Sequence, residues 1–275
     1  MFPIKDNIPT RERPVINIAL IVVTVLAFLA QLGTPEGAPS LVERYGMIPA
    51  RVTSPDAVVE IPEYALVRYP DGRVGRELVS KPAAPASVPT WLTLLTCVFL
   101  HGGWLHLLGN MWFLWIFGDN VEDCFGKLGY LAFYLLGGVF ASVTHLVTNL
   151  GSSIPTIGAS GAVAAVMGAY FVLYPRAKVL AIVPIFFFIQ MLVLPASWFL
   201  GVWFLLQLMQ GSFSMGTVAS AGVAWWAHIG GFAMGYVAAR VLEKRHRLKP
   251  RVEVLAPDTE RTGSYRFRAR PPREW

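Results

Sequence analysis

Six long apolar runs dominate this sequence, at 15–33, 103–121, 128–149, 160–174, 179–209 and 223–242. The chain is 55% hydrophobic and only 15% charged, whereas soluble domains carry about 25% charge. The runs are therefore read as membrane spans. Hydrocarbon cannot satisfy an open backbone, so each is expected to be helical. The expected fold is an all-α membrane protein, a bundle of six transmembrane helices. The fifth run is too long for one straight span. Pro184 and Pro195 are expected to divide it into an interfacial approach and a spanning helix near 195–209.

The distribution of Lys and Arg sets the expected orientation. Lys5, Arg11 and Arg13 precede the first run, and Lys127 separates the second from the third. Arg176 and Lys178 separate the fourth from the fifth, and Arg240, Lys244, Arg245, Arg247 and Lys249 close the sixth. With six crossings all of these fall on one side. The positive-inside rule makes that side cytoplasmic, with both termini on it. The net charge of +6 thus reflects topology, and no base-reading motif accompanies it, so no nucleic-acid partner is expected. No cleavable signal peptide is read at the start. Multi-pass insertion in the cell membrane, plasma or bacterial inner, is expected.

The expected organisation is a cytoplasmic N-terminus (1–14), a transmembrane domain (15–242) and a basic, disordered cytoplasmic tail (243–275). One sizeable extracytoplasmic insert, 34–89, lies between the first two spans. Around Pro70-Asp71-Gly72 it alternates strand-like residues, which suggests a β-hairpin; a merely tethered loop is the other reading. Cys97 and Cys124 are expected near opposite faces and unbridged, since disulfide partners need Cα atoms within about 7 Å.

The fourth run is short. From Ser160 it is stopped by Pro175, and its 15 residues extend about 22 Å against a hydrocarbon core of about 30 Å. With Arg176 and Lys178 holding its end at the cytoplasmic surface, Ser160 is expected roughly 7–8 Å below the outer boundary. The preceding loop then dips inward, which requires a hydrated cavity or burial in protein.

Polar residues inside such runs are costly and default to a functional hypothesis. Ser160 is a hydroxyl nucleophile in need of a base, and His228 is a neutral imidazole suited to that task. Ser160, Ala164 and Gly168 share a small-residue face, as do Ala227, Gly231, Gly235 and Ala239, and packing these faces together brings His228 to Ser160. Gly158 and Gly161 permit close approach of the backbone. His106 and Asn110, four residues apart on one helix face, are donors for a developing oxyanion at the same depth. No Asp or Glu lies at that depth, so a Ser-His dyad is expected and not a triad. His101 and His145 are read as structural, and Glu122 and Asp123 as a cap or loop anchor. The histidines have neither the spacing nor a carboxylate that zinc requires, and no metal or cofactor is expected.

Together these segments resemble the rhomboid family of intramembrane serine proteases. The resemblance rests on His101-Gly102-Gly103-Trp104-Leu105-His106-Leu107-Leu108-Gly109-Asn110, on Gly158-Ala159-Ser160-Gly161 and on Ala227-His228-Ile229-Gly230-Gly231. It covers roughly 91–242. It implies Ser160 as nucleophile, His228 as general base, and His106, Asn110 and the Ser160 N–H as the oxyanion hole. It also implies a loop-stabilising Glu122, a fifth helix that gates lateral entry, and substrates that are transmembrane segments of other proteins. Two positions depart from the family pattern. Trp91-Leu92-Thr93 stands before the second span, and Ala164 stands where some members place a Tyr that stacks on the base. The competing expectation is a catalytically inert rhomboid-like protein that binds membrane clients.

Overall fold

The computed structural model describes residues 1–35, 38–185, 188–214, 224–249, 252–254 and 267–269. Strand β1 (Phe2–Asp6) precedes helix α1 (Val15–Leu32). Two short helices, α2 (Leu41–Tyr45) and α3 (Pro49–Thr53), lead into a hairpin of β2 (Glu60–Arg68) and β3 (Val74–Pro82). A short helical stretch, Thr90–Phe99, contains α4 (Thr93–Thr96) and bends by 80° into α5 (Trp104–Phe125). Then follow α6 (Lys127–Thr148), α7 (Ser160–Leu173), β4 (Lys178–Ile185), β5 (Phe188–Pro195), α8 (Ala196–Ser214) and α9 (Trp225–Lys244). Two three-residue strands, β6 (Val252–Val254) and β7 (Phe267–Ala269), pair antiparallel in the tail. Of the tail 243–275 expected to be disordered, 243–249 are also described, with α9 running on to Lys244, and its other residues lie outside the described ones.

Helix α7 is the hub. It packs against α5, α6, α8 and α9, and 12 of its 14 residues are buried. Its small residues make this possible. A β-carbon on Gly231 would strike the Gly161 carbonyl, and one on Gly168 would strike the carbonyl of Phe232. Such small faces let helices meet backbone to backbone. The outer faces of the bundle are apolar and exposed: Val22, Val23 and Leu26 on α1, Leu136 and Phe140 on α6, Leu205 and Met209 on α8, and Val237 on α9. Alpha-helices with apolar outer faces are what hydrocarbon tolerates.

Buried polar contacts tie one end of the bundle together. Glu122 accepts the backbone N–H of Ile16 (3.1 Å) and Asn17 (2.8 Å), satisfying donors in the first turn of α1 that have no intrahelical partner. Asp123 accepts from the backbone of Arg11 (2.6 Å) and Glu12 (3.3 Å). Tyr130 donates to Asn17 Oδ1 (2.7 Å), and the Lys249 N–H to the Cys124 carbonyl (2.8 Å). Glu122 and Asp123 are thus a cap and an anchor. Arg11, Lys178 and Lys249 all gather at this end through bonds made by their own residues.

The expectation for 179–195 is overturned. The described residues of this stretch form two antiparallel strands, β4 on β5, extended by β1 into a three-stranded antiparallel sheet of order β1-β4-β5. The requirement that set the expectation, a paired backbone, is met by strands pairing with one another, and Val179, Ile182, Val183, Ile189 and Val193 favour that form. Pro184 lies beyond the part of β4 that β1 covers, where its missing N–H costs no ladder bond to β1. The N-terminal strand is held from several sides. Trp112 donates its indole N–H to the Pro3 carbonyl (2.6 Å), Phe2 stacks on Trp112, and Asp6 accepts from Tyr170.

The insert between α1 and α5 is ordered where described. Strands β2 and β3 pair across Glu60↔Pro82 to Arg68↔Val74. The turn carries Gly72 at φ 83°, a conformation that glycine adopts without a steric penalty. Ser40 caps α2 by accepting the Glu43 N–H (3.2 Å), and Glu43 holds Lys81 (3.2 Å) and the Ala84 N–H (2.9 Å). One buried carboxylate therefore fixes the hairpin to α2.

Candidate active site

Four helices and the segments that lead into three of them converge on a cavity of about 960 Å³ near one end of the bundle. The start of α5 contributes His106 and Asn110, α7 contributes Ser160, α8 contributes Trp203, and α9 contributes His228. None of its described lining residues is acidic.

Ser160 opens α7, directly after the loop 149–159. That loop is pinned to the insert, where Met47 and Thr156 exchange backbone hydrogen bonds (3.1 and 2.7 Å) and the Ala50 N–H reaches the Ser152 carbonyl (2.9 Å). The Gly158 N–H bonds the Cys97 carbonyl (2.9 Å), and the Ala159 N–H reaches His101 Nε2 (3.4 Å). Gly158 has φ 127°, and a β-carbon there would stand 2.7 Å from His106 Nε2. Conformation and space both demand glycine at this point, which lets the His106 ring reach the entry to α7.

His228 meets Ser160 across the α7–α9 contact, with 2.7 Å between His228 Nε2 and Ser160 Oγ. The small-residue faces permit this distance. Gly161 lies against Ala227 and Ala141, Gly231 against the Gly161 carbonyl, and Gly235 against Ala165. With the serine hydroxyl donating to Nε2, the proton of a neutral ring sits on Nδ1. There it meets Gln207 Oε1 at 2.7 Å. Gln207 is a neighbour of the imidazole that sequence reasoning missed. A usable signal was present, an amide within an apolar run, the same signal that singled out Asn110, although Gln190 shares that run.

His106 and Asn110 line the cavity beside Ser160. Asn110 donates one amide hydrogen to the His106 carbonyl one turn back (3.0 Å), and its second amide hydrogen is a further donor. His106 Nδ1 accepts from the Gly102 N–H (3.4 Å), which leaves the Nε2 edge to carry a proton in the neutral ring. The first turn of α7 adds backbone N–H groups that have no intrahelical acceptor. A serine, a base and convergent donors at one cavity are the parts required for acyl transfer.

Aromatic rings also surround His228. At position 164 there is only a buried Ala164 methyl, whereas Trp203 and Trp225 each approach the His228 ring with centroids 6.0 Å apart. Trp203 lines the cavity; Phe204, the next residue, turns away to stack on Phe232 of α9 (4.5 Å). His101 bridges elements: its backbone N–H donates to Gln31 Oε1 (2.9 Å) and its carbonyl accepts from Gln31 Nε2 (3.0 Å). His145 is not among the cavity's lining residues and packs against Asn149.

Comparison with known proteins assigns the helical core to a family. A Rhomboid domain model matches residues 88–245, more than half of the chain. A presenilin-associated rhomboid-like protein A, mitochondrial, of Danio rerio is 34% identical over 96 residues, which is 34% of this chain and 25% of that protein. RHOMBOID-like protein 5 of Arabidopsis thaliana is 37% identical over 76 residues, 28% of this chain and 25% of the relative. Rhomboid-like protein 11, chloroplastic, of the same plant is 40% identical over 75 residues, 27% of this chain and 26% of the relative. The alignments therefore span about a quarter of the length of these relatives. With a family model over its helical core and apolar helices around a central short one, this chain is a membrane protein and belongs to the rhomboid family.

Proposed function

We propose that this protein is an intramembrane serine endopeptidase acting on transmembrane segments of other membrane proteins. The observation that carries the proposal is the 2.7 Å bond between Ser160 Oγ and His228 Nε2, in a cavity that His106 and Asn110 also line. In this reading His228 takes the serine proton as Oγ attacks the scissile carbonyl. His106, Asn110 and the Ser160 N–H stabilise the oxyanion. The imidazolium returns its proton to the leaving amine, and water from the cavity hydrolyses the acyl-enzyme by the same route reversed. No metal or cofactor enters these steps.

The accompanying topology is six spans with both termini cytoplasmic and the insert outside, supported by the gathering of Arg11, Lys178 and Lys249 at one end. We place the chain in the cell membrane. Single cysteines in the insert and in the N-terminal segment, probed with a membrane-impermeant thiol reagent in cells, test the sidedness, and fractionation tests the membrane.

The activity test uses the full chain in detergent. A fluorophosphonate should label wild type and cleave-competent protein should cut a transmembrane model substrate, while Ser160→Ala and His228→Ala abolish both. Equal labelling of all three rejects the dyad. A folded wild type that binds transmembrane clients but neither labels nor cleaves establishes instead the inert client-binding reading.

A further inference from the structure

We propose that Gln207 is the positioning residue of the base, and that helix α8 thereby arms the dyad; the inference rests on the reading of Ser160 and His228 as nucleophile and base. Gln207 is 7% exposed and comes from an otherwise strongly apolar helix, yet its Oε1 stands 2.7 Å from His228 Nδ1. A buried amide in a membrane helix is costly without a partner, and its partner here is the imidazole.

The chemistry follows from the tautomers of a neutral imidazole. Only the form protonated on Nδ1 leaves the Nε2 lone pair free to receive the Ser160 proton. A carbonyl oxygen facing Nδ1 accepts from that form and repels the other, so Gln207 selects the productive tautomer and fixes the ring plane. An aspartate does this in soluble serine proteases and adds a charge that stabilises the imidazolium. An amide performs the orienting part without burying a charge among apolar helices.

Gln207 also lies on a third helix. Ser160 is on α7 and His228 on α9, whereas Gln207 and Trp203, four residues apart and so on one face of α8, hold the ring at its edge and beside its face. A shift of α8 removes both supports together. The base is therefore correctly set only while α8 is seated, and that helix's position is read directly by the reacting group.

The test uses full-length protein with ¹⁵N-labelled histidine, comparing wild type, Gln207→Leu, Gln207→Glu and Ser160→Ala. Gln207→Leu should slow fluorophosphonate labelling about 10- to 100-fold, the loss seen when a metal-bound histidine loses its orienting partner. Its kcat on a transmembrane substrate should fall with KM unchanged. The His228 nitrogen resonances should change from a single Nδ1-protonated form to a mixture of tautomers. Gln207→Glu, which keeps an acceptor oxygen, should restore labelling and the single tautomer. Wild-type labelling rates and an unchanged tautomer in folded Gln207→Leu overturn the positioning role while leaving the dyad intact. A folded wild type that does not label overturns the dyad and this proposal together.

Discussion

The carbonyl oxygen of Ala165 lies where a β-carbon on Gly235 would stand, so α7 and α9 touch backbone to backbone at this point. The obstruction is main chain and cannot rotate aside. Gly235→Ala should therefore force the helices apart and destabilise the protein by at least the roughly 1–3 kcal/mol usual for overpacking. Thermal unfolding in detergent measures this, and the same variant should lose fluorophosphonate labelling because the Ser160–His228 distance depends on this contact. An unchanged melting temperature would contradict the packing described.

Asn110 is expected to act on rate and not on folding. Asn110→Ala should lower turnover of a transmembrane substrate by up to about 10²–10³-fold, the loss associated with one oxyanion donor. Its melting temperature should move little, since its resolved bond is to a carbonyl on its own helix. Cleavage at the wild-type rate would remove Asn110 from the proposed oxyanion hole.

Glu122 is expected to act on folding. Glu122→Ala leaves the N–H groups of Ile16 and the buried Asn17 without their acceptor. The loss of a cap and of a buried partner should destabilise by roughly 1–3 kcal/mol. Differential scanning fluorimetry reads this as a lower melting temperature. Exchange at the start of α1 should accelerate before exchange in α7.

Acidity should tighten the N-terminal strand. Burial pushes Asp6 up from 3.8 to about 6, although the Tyr170 hydroxyl donates to it and opposes the rise. The folded protein therefore binds this proton more tightly than the unfolded chain, so the strand's stability falls as pH rises from about 4 through about 6 and levels off above. Amide protection in β1, corrected for intrinsic exchange, should be greater near pH 4.5 than near pH 7.5. Asp6→Asn should remove most of that difference. A full wild-type pH dependence in Asp6→Asn would assign it to another group.

Much of the bundle was legible because its signals are local. The apolar runs at 15–33, 128–149 and 160–174 correspond to α1, α6 and α7 within one or two residues. The shortness of α7 and the proximity of Ser160 to His228 follow from Pro175 and from small residues at four-residue spacing. The sheet was not legible, because β4 pairs with a strand near the start of the chain, Phe2 with Ile182 and Asp6 with Val179, and its apolar residues do not alternate. Pro184 and Pro195 marked breaks without saying what lay between them. The insert's hairpin announced itself through Pro70-Asp71-Gly72, whereas its tie to α2 through Glu43 had no local sign. Gln207 was missed for a related reason. The rotation of an evenly apolar helix about its axis is not written in its pattern, so nothing indicated that this amide faces His228.

Helix α7 meets its surroundings almost entirely through other helices, with only Ser160 and Phe171 outside its buried set. Membrane thickness therefore has no direct hold on Ser160, the proposed nucleophile. A thinner or thicker bilayer deforms around α1, α6, α8 and α9, whose outer faces bear the exposed Leu and Val side chains. The depth of Ser160 is set by the protein, like a tool clamped in a frame, while a substrate helix of the proposed kind floats at the level its own length dictates. Lipid chain length should thus leave the reaction of Ser160 with a small soluble probe unchanged and still shift which peptide bond of a transmembrane segment arrives opposite it.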